Sequence, residues 1–407
     1  MGNCGGRRKE RDRVSEEVFK SGPFKGVPVD DAFARAAEQQ SPVTLPLRSI
    51  PWPQGLAPVA VPLGAYAQGA NITGPVQAPA DVLIVLYTDQ ETSALLDVFT
   101  DAPGWSPARA KTWCGYAHNF AKFKPTIQGI SGDTALEQGL FGYLSAVQIG
   151  AKTVVLYKTE LHPKQNGNQL PFIPVLQQLI GELTPALVIS TGTAGAIGGT
   201  LNCGDVAVTT AARFHCQVQY PTNPAINVMS SRQTELSNSV SINAHYLSYA
   251  SANLTALSLQ GLSQCYSELQ NLSGFGFVKK NLEAPTIYVS GQNPVPGPEP
   301  MVIVSADYLT VDDNNDSEGL ESLGVMNDTD DAFLFYAISK MTGATPGWVS
   351  VRNASEPQIV AKPFPPGTSS ATIIDSLKAT AGTIYGIYQY CTTLNSAFAC
   401  WAIIAGM

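Results

Sequence analysis

The stretch Ala186 to Phe214, ALVISTGTAGAIGGTLNCGDVAVTTAARF, constrains the fold more than any other part of the chain. Ala186-Leu187-Val188-Ile189 is apolar and runs into the small residues Ser190-Thr191-Gly192-Thr193-Ala194-Gly195. Such a run reads as a buried strand. Gly192 and Gly195 suit positive φ and leave N–H groups with no side chain above them, so a turn is expected there. A strand end that opens into a glycine turn is where α/β sheets place ligands. Asn202 and Gly204 suit a second tight turn, and Asp205 to Thr209 reads as the following strand.

The other strong patterns extend the α/β reading. Val82-Leu83-Ile84-Val85-Leu86 is a buried strand, and Ala94-Leu95-Leu96-x-Val98-Phe99 has helical spacing. Gly139 to Ile149 has helical spacing, Lys152 to Tyr157 reads as a strand and Ile173 to Leu183 as a crossover helix. Met301 to Asp307 is a strand, with Ile287 to Gly291 an earlier one; Leu334 to Met341 and residues 371–390 are helical. Together these predict an α/β three-layer sandwich, a mixed central β-sheet flanked by helices.

At 407 residues the chain exceeds one average domain. Residues 1–79 read as a tail and a Pro/Gly/Ala-rich arm, and 80–407 as one domain with a polar insertion at about 216–285. The chain begins Met1-Gly2-Asn3-Cys4-Gly5-Gly6. Gly2 and Cys4 suit acylation, but position six lacks the Ser or Thr of that signal, so a solvated charged tail is expected. No apolar core follows the early charges, so no secretory signal is expected. No stretch reaches the roughly 18–20 apolar residues that cross a bilayer, so no stable membrane insertion is expected. The run Ala397 to Met407 reads as a buried element end. A net charge of −8 argues against a nucleic-acid partner. Seven cysteines without C-x-x-C spacing and four dispersed histidines form neither a disulfide framework nor a metal site. Free thiols in a reducing, cytoplasmic compartment are the simplest account, with no metal and no cofactor.

Gly192-Thr193-Ala194-Gly195-Ala196 followed by Gly204-Asp205-Val206 resembles the purine nucleoside phosphorylase and nucleosidase superfamily, whose signature is a strand, G-[ST]-A-G-[GA] and a G-D-[IV] turn. The branch it looks most like is that of the methylthioadenosine/S-adenosylhomocysteine nucleosidases. Further segments match in the family order. Glu91 precedes a Leu-Leu pair, as does the glutamate that activates water in those enzymes. Ser305-Ala306-Asp307-Tyr308-Leu309-Thr310 resembles a strand ending in S-G-D, and the aromatic base-stacking position falls on Leu309, with Thr310 beside it. Thr329-Asp330-Asp331-Ala332 stands where the family has E-M-E-A; Asp331 takes the place of the ribose-binding glutamate and Asp330 that of the methionine. Val351-Arg352-Asn353-Ala354-Ser355-Glu356 resembles V-R-x-x-S-D, with Arg352 near the water or anion, Ser355 beside it and Glu356 in place of the acid at purine N7.

The resemblance implies a nucleosidase that hydrolyses the N-glycosidic bond of a purine nucleoside or thio-nucleoside, with Glu91, Arg352 and Glu356 as catalytic residues. Gly192, Thr193, Ala194, Leu309, Thr310, Asp330, Asp331 and Ser355 would bind this small-molecule nucleoside. The phosphorylase branch has an arginine in a glycine loop after the first strand; here the nearest downstream arginine is Arg109, which favours water over phosphate. Phosphorolysis remains the alternative, as does an inactive nucleoside-binding protein. Family relatives assemble, so a homo-oligomer is implied. Each acidic segment also has a plainer account: Glu91 and the aspartates suit helix N-termini through capping and the dipole.

Overall fold

The computed structural model describes residues 27–28, 50–100, 106–127, 130, 133–161, 171–197, 201–215, 235–254, 275–277, 285–291, 295–306, 308–309, 320–356, 359–361 and 367–407. The first strands are β1 (Val27–Pro28), β2 (Val59–Val61) and β3 (Asn71–Ile72). Then come β4 (Val82–Leu86), helix α1 (Asp89–Thr100), β5 (Cys114–Tyr116), β6 (Gly142–Ile149), β7 (Lys152–Thr159), helix α2 (Phe172–Leu183) and β8 (Leu187–Ala196). β9 (Val206–Thr209), β10 (Ala211–His215), β11 (Glu235–Ser237) and a helical stretch at residues 244–254 follow. Next are β12 (Phe275–Phe277), β13 (Ile287–Val289), β14 (Val295–Pro296), β15 (Ile303–Ala306), β16 (Tyr308–Leu309) and β17 (Met326–Asp328). Helix α3 (Asp331–Ser339), β18 (Gly347–Glu356), β19 (Ile359–Ala361) and helix α4 (Ser370–Ala405) end the sequence of elements.

The central sheet is mixed and mostly parallel at its middle. β4 pairs in parallel with β7 and β8, β18 runs parallel to β8, and β15 runs parallel between β10 and β17. β6, β9 and the β17–β8 contact bring in antiparallel pairs. The strands' side chains divide into two cores, as a period of two requires. Val82, Ile84 and Leu86 pack with α1 and the end of α4, whereas Leu83 and Val85 pack with α2 and α3. This is the α/β sandwich with helices on both faces, and burial on both faces explains why β4 and the start of β8 are continuous apolar runs.

Two expectations are corrected. Gly139 to Ile149 is not helical: residues 142–149 form β6, hairpinned onto β7 across Gly150, whose φ is +58°. Phe141, Leu144 and Val147 have a spacing that also suits a helix; pairing with β7 decides against it. The chain does not turn at Gly192 and Gly195; β8 stays extended to Ala196. Met326-Asn327-Asp328 is a strand, β17, and α3 starts at Asp331.

Residues 50–79 lie on the chain's own core. β2 pairs with β6, β3 pairs with β5, and Trp401 Nε1 donates to the Leu56 carbonyl at 2.7 Å. The helix expected at 371–390 and the apolar C-terminus are one element, α4, with Ser369 accepting from the Thr372 N–H at its start. No helix among the described residues is long and apolar enough to cross a membrane. The acylation signal lies outside the described residues, as does most of the 216–285 segment.

Candidate active site

The edge of β8 creates the site. β18 covers one edge of this strand from Leu187 onward, with Arg352 opposite Gly192 and Asn353 opposite Thr193. On the other edge β4 stops at Ser190 and β17 joins only at Gly195. Between them the backbone of Thr191 to Ala194 has no strand partner on that edge among the described residues, and the Glu91 side chain meets it at Thr193. Open ends of parallel strands are where α/β sheets hold ligands.

Glu91 fills part of this gap. Thr88-Asp89-Gln90-Glu91 is a capping box: Thr88 Oγ1 accepts from the Glu91 N–H at 3.2 Å and Glu91 Oε2 accepts from the Thr88 N–H at 2.9 Å. Oε2 also accepts from the Tyr87 N–H at 3.3 Å. Oε1 accepts from Thr193, from its N–H at 2.7 Å and its hydroxyl at 2.8 Å. The carboxylate is therefore both a helix cap and a ligand of the central strand, and it is buried. Gly192 permits the approach, because a Cβ there would lie 2.3 Å from Glu91 Oε1.

Arg352 is the hub. Its Nε donates to Asp331 Oδ1 at 3.0 Å and its Nη2 to the same oxygen. Nη1 donates to the Thr193 carbonyl at 3.1 Å and Nη2 to Ser190 Oγ at 3.3 Å. Asp328 Oδ2 stands 3.2 Å from Nη2, Asp330 Oδ2 stands 3.9 Å from it, and Glu91 Oε1 is 4.0 Å from Nη1. The guanidinium lies over the Tyr87 ring, 4.9 Å from its centroid, and the Tyr87 hydroxyl bonds Ser190 Oγ at 2.8 Å. Arg352 is 1 % exposed and Asp331 0 %. Asp331 is further held by Ser190 and Ser350, which sit opposite each other on β8 and β18.

Four carboxyl groups thus surround one guanidinium, and the three aspartates among them titrate differently. Burial alone would lift the Asp331 carboxyl, but Arg352 and the two serines hold it below its ordinary value. Burial, reinforced by the Asp331 charge, pushes Asp328 well up. Asp330 is raised to about 7, by burial first, with Arg352 opposing and Glu91 and Asp331 adding repulsion. Burial would lower Arg352, and Asp331 and Asp328 overcome it, so the guanidinium stays charged. Asp328 also supports the start of α3: its Oδ2 accepts from the Asp331 N–H at 3.0 Å, and Ser305 Oγ accepts from the Ala332 N–H at 2.8 Å.

Of the residues singled out in the sequence, Glu91, Gly192, Thr193, Asp330, Asp331 and Arg352 belong to this one cluster, and Ala194 is the next residue of β8. Ser355 lies three residues past Arg352 on β18, buried, with its hydroxyl donating to the Ala194 carbonyl at 3.5 Å. Glu356 is the last residue of β18, its backbone opposite Gly195; its side chain is outside the described residues. Leu309 lies on β16, paired with Val27 of β1, and its side chain and the whole of Thr310 are likewise outside them. Sequence reasoning missed Tyr87, Ser190, Ser350, Asp328 and the half-buried Tyr385 of α4, whose hydroxyl accepts from Thr193 Oγ1 at 3.4 Å. The T-x-x-E box was a usable signal for the Glu91 turn; Ser190 and Ser350 carried none. Among the described residues no three His, Cys, Asp or Glu side chains are grouped to hold a metal ion; the guanidinium occupies the middle of the acidic cluster.

No protein-family model matches the chain, and no curated protein matches it. The solved structures similar to it include nucleosidases. One is the 5'-methylthioadenosine/S-adenosylhomocysteine nucleosidase of Neisseria meningitidis with methylthio-immucillin-A, at 13 % identity and TM-score 0.39 over 80 % of this chain and 100 % of that one. A mutant of the Helicobacter pylori nucleosidase, with 5'-methylthioadenosine in its active site, has 12 % identity and TM-score 0.44 over 80 % and 98 %. Futalosine hydrolase of the same organism has 10 % identity and TM-score 0.42 over 80 % and 97 %. TM-scores this low carry none of the functional reading, which stands on the residues of the site.

Proposed function

We propose that the protein is a nucleosidase that hydrolyses the N-glycosidic bond of a purine nucleoside or thio-nucleoside. The observation that carries this reading is the convergence of Glu91, Asp330, Asp331 and Asp328 on Arg352 at the uncovered edge of β8. Glycosidic cleavage passes through an oxocarbenium-like sugar, and fixed negative charge in a water-poor site stabilises the positive charge that develops.

In this reading Glu91 Oε1 takes the proton of the attacking water. Arg352 orients that water and holds the acidic cluster together. A carboxylate accepts both ribose hydroxyl protons. The family pattern assigns that contact to Asp331; its enclosure by Ser190, Ser350 and Arg352 favours the neighbouring Asp330 for it. Gly192, Thr193 and Ala194 lie against the sugar, Leu309 and Thr310 take the base, Ser355 supports the strand and Glu356 protonates the leaving base.

Water is favoured over phosphate as the nucleophile. A phosphate dianion brought to Arg352 would also meet the buried Asp331 carboxylate, which Arg352 and the two serines hold in its charged form, and like charges at that range in a buried site repel strongly. The second reading is a nucleoside-binding protein without turnover. It has a specific observation in its favour: four donors already occupy the Glu91 carboxylate. Incubation of the purified protein with adenosine, inosine and methylthioadenosine, with and without phosphate, decides between them. Base release without phosphate is expected; release only with phosphate means phosphorolysis, and no release with retained adenine binding means a binding protein.

A further inference from the structure

Glu91 cannot act as a base while every lone pair of its carboxylate is taken. A carboxylate offers about four acceptor positions, and Glu91 receives from the Tyr87, Thr88 and Thr193 N–H groups and the Thr193 hydroxyl. The three N–H donors are fixed by the backbone. The hydroxyl is not, since Thr193 has one proton and two acceptors within reach: Glu91 Oε1 at 2.8 Å and the Tyr385 oxygen at 3.4 Å. Tyr385 projects from α4, half-buried beside the gap in β8.

We propose that Tyr385 is a positioning residue that draws the Thr193 proton away from Glu91, freeing Oε1 to accept from the attacking water. The proposal rests on the nucleosidase reading. When the Thr193 hydroxyl turns to Tyr385, its contact tightens, in keeping with site hydrogen bonds that are long before substrate binds. The water oxygen then bonds to the anomeric carbon, its proton passes to Glu91 Oε1, and the glycosidic electron pair leaves with the base, which is protonated on its own side.

Tyr385→Phe keeps the ring and removes the acceptor, so the Thr193 hydroxyl stays on Glu91. Losing one such hydrogen bond predicts a fall in kcat on the order of five-fold with KM little changed. The acid limb of the kcat–pH profile moves to lower pH, because the locked carboxylate is a weaker base. In a Thr193→Val background there is no hydroxyl to lock, so Tyr385→Phe costs nothing further. An unchanged kcat in Tyr385→Phe, or the same fold loss in both backgrounds, overturns the proposal. Infrared titration of the wild-type protein and Tyr385→Phe, each with its Glu91→Gln counterpart subtracted, reads the carboxylate without turnover. A Glu91 band that titrates at lower pH in Tyr385→Phe supports the proposal, and an unmoved band overturns it whatever the kinetics. Absence of base release by the wild-type protein sinks the nucleosidase reading alone.

Discussion

Gly192 and Glu91 are 101 positions apart, and each requires the other's geometry. The glycine has φ +149°, and a methyl group on it would stand 2.3 Å from one oxygen of the glutamate and 2.5 Å from its carboxyl carbon. Gly192→Ala is therefore expected to push the carboxylate off Thr193. A loss of about 1–3 kcal/mol in unfolding free energy follows from strain and overpacking. Urea denaturation alongside base release checks it; an alanine variant with unaltered stability and turnover would mean that the strand relaxes around the methyl.

Replacing Glu91 by Gln keeps the shape and the helix start but removes the base. Base release is expected to fall by about 10²–10⁴-fold, the usual worth of general base catalysis. Steady-state kinetics measure it, and full activity in Glu91→Gln would refute the water-activating role.

Removing the Arg352 cation exposes the acidic cluster to its own repulsion. Arg352→Met leaves Asp331 charged, buried and without its partner, which costs about 3–5 kcal/mol. Denaturant unfolding of the variant reads this directly. A loss well under about 1 kcal/mol would show that the carboxyl groups neutralise by taking up protons.

The pH dependence of stability carries the mark of Asp330. Its carboxyl is raised from 3.8 to about 7 in the fold. Between those values the folded protein keeps a proton that the unfolded chain has released, so this group's contribution falls as pH rises through that window. Asp330→Asn has no such proton to lose. Relative to the wild-type protein it is expected to gain stability from about pH 4 to about pH 8, by a few kcal/mol. Thermal unfolding across that range tests it, and parallel curves for the two proteins would contradict the prediction. Asp331 acts in the opposite sense: its lowered value contributes stability above about pH 4 that is lost as acid protonates it.

Continuous apolar runs made β4, β7 and the start of β8 readable, because strands buried on both faces need no polar alternation. β6 was misread because Phe141, Leu144 and Val147 also fit a helical period, and only its pairing with β7 distinguishes the two. The acids at Glu91, Asp330 and Asp331 were visible as helix-start residues. Their neighbours Ser190, Ser350 and Tyr385 carry no local signal, since a serine in a strand or a tyrosine in a helix looks the same whether or not a partner waits across the fold.

Local chemistry along the chain decided that β4, β7 and the start of β8 become strands and where α1 and α3 begin. Three-dimensional packing alone decided that Asp331 clasps Arg352, that Thr193 bridges Glu91 to Tyr385, and that β4 and β17 leave a gap along β8. Hydrogen bonds and charge act over a few ångströms of space, whereas these partners are separated by 21 to 192 positions of chain. Only folding brings them within that range.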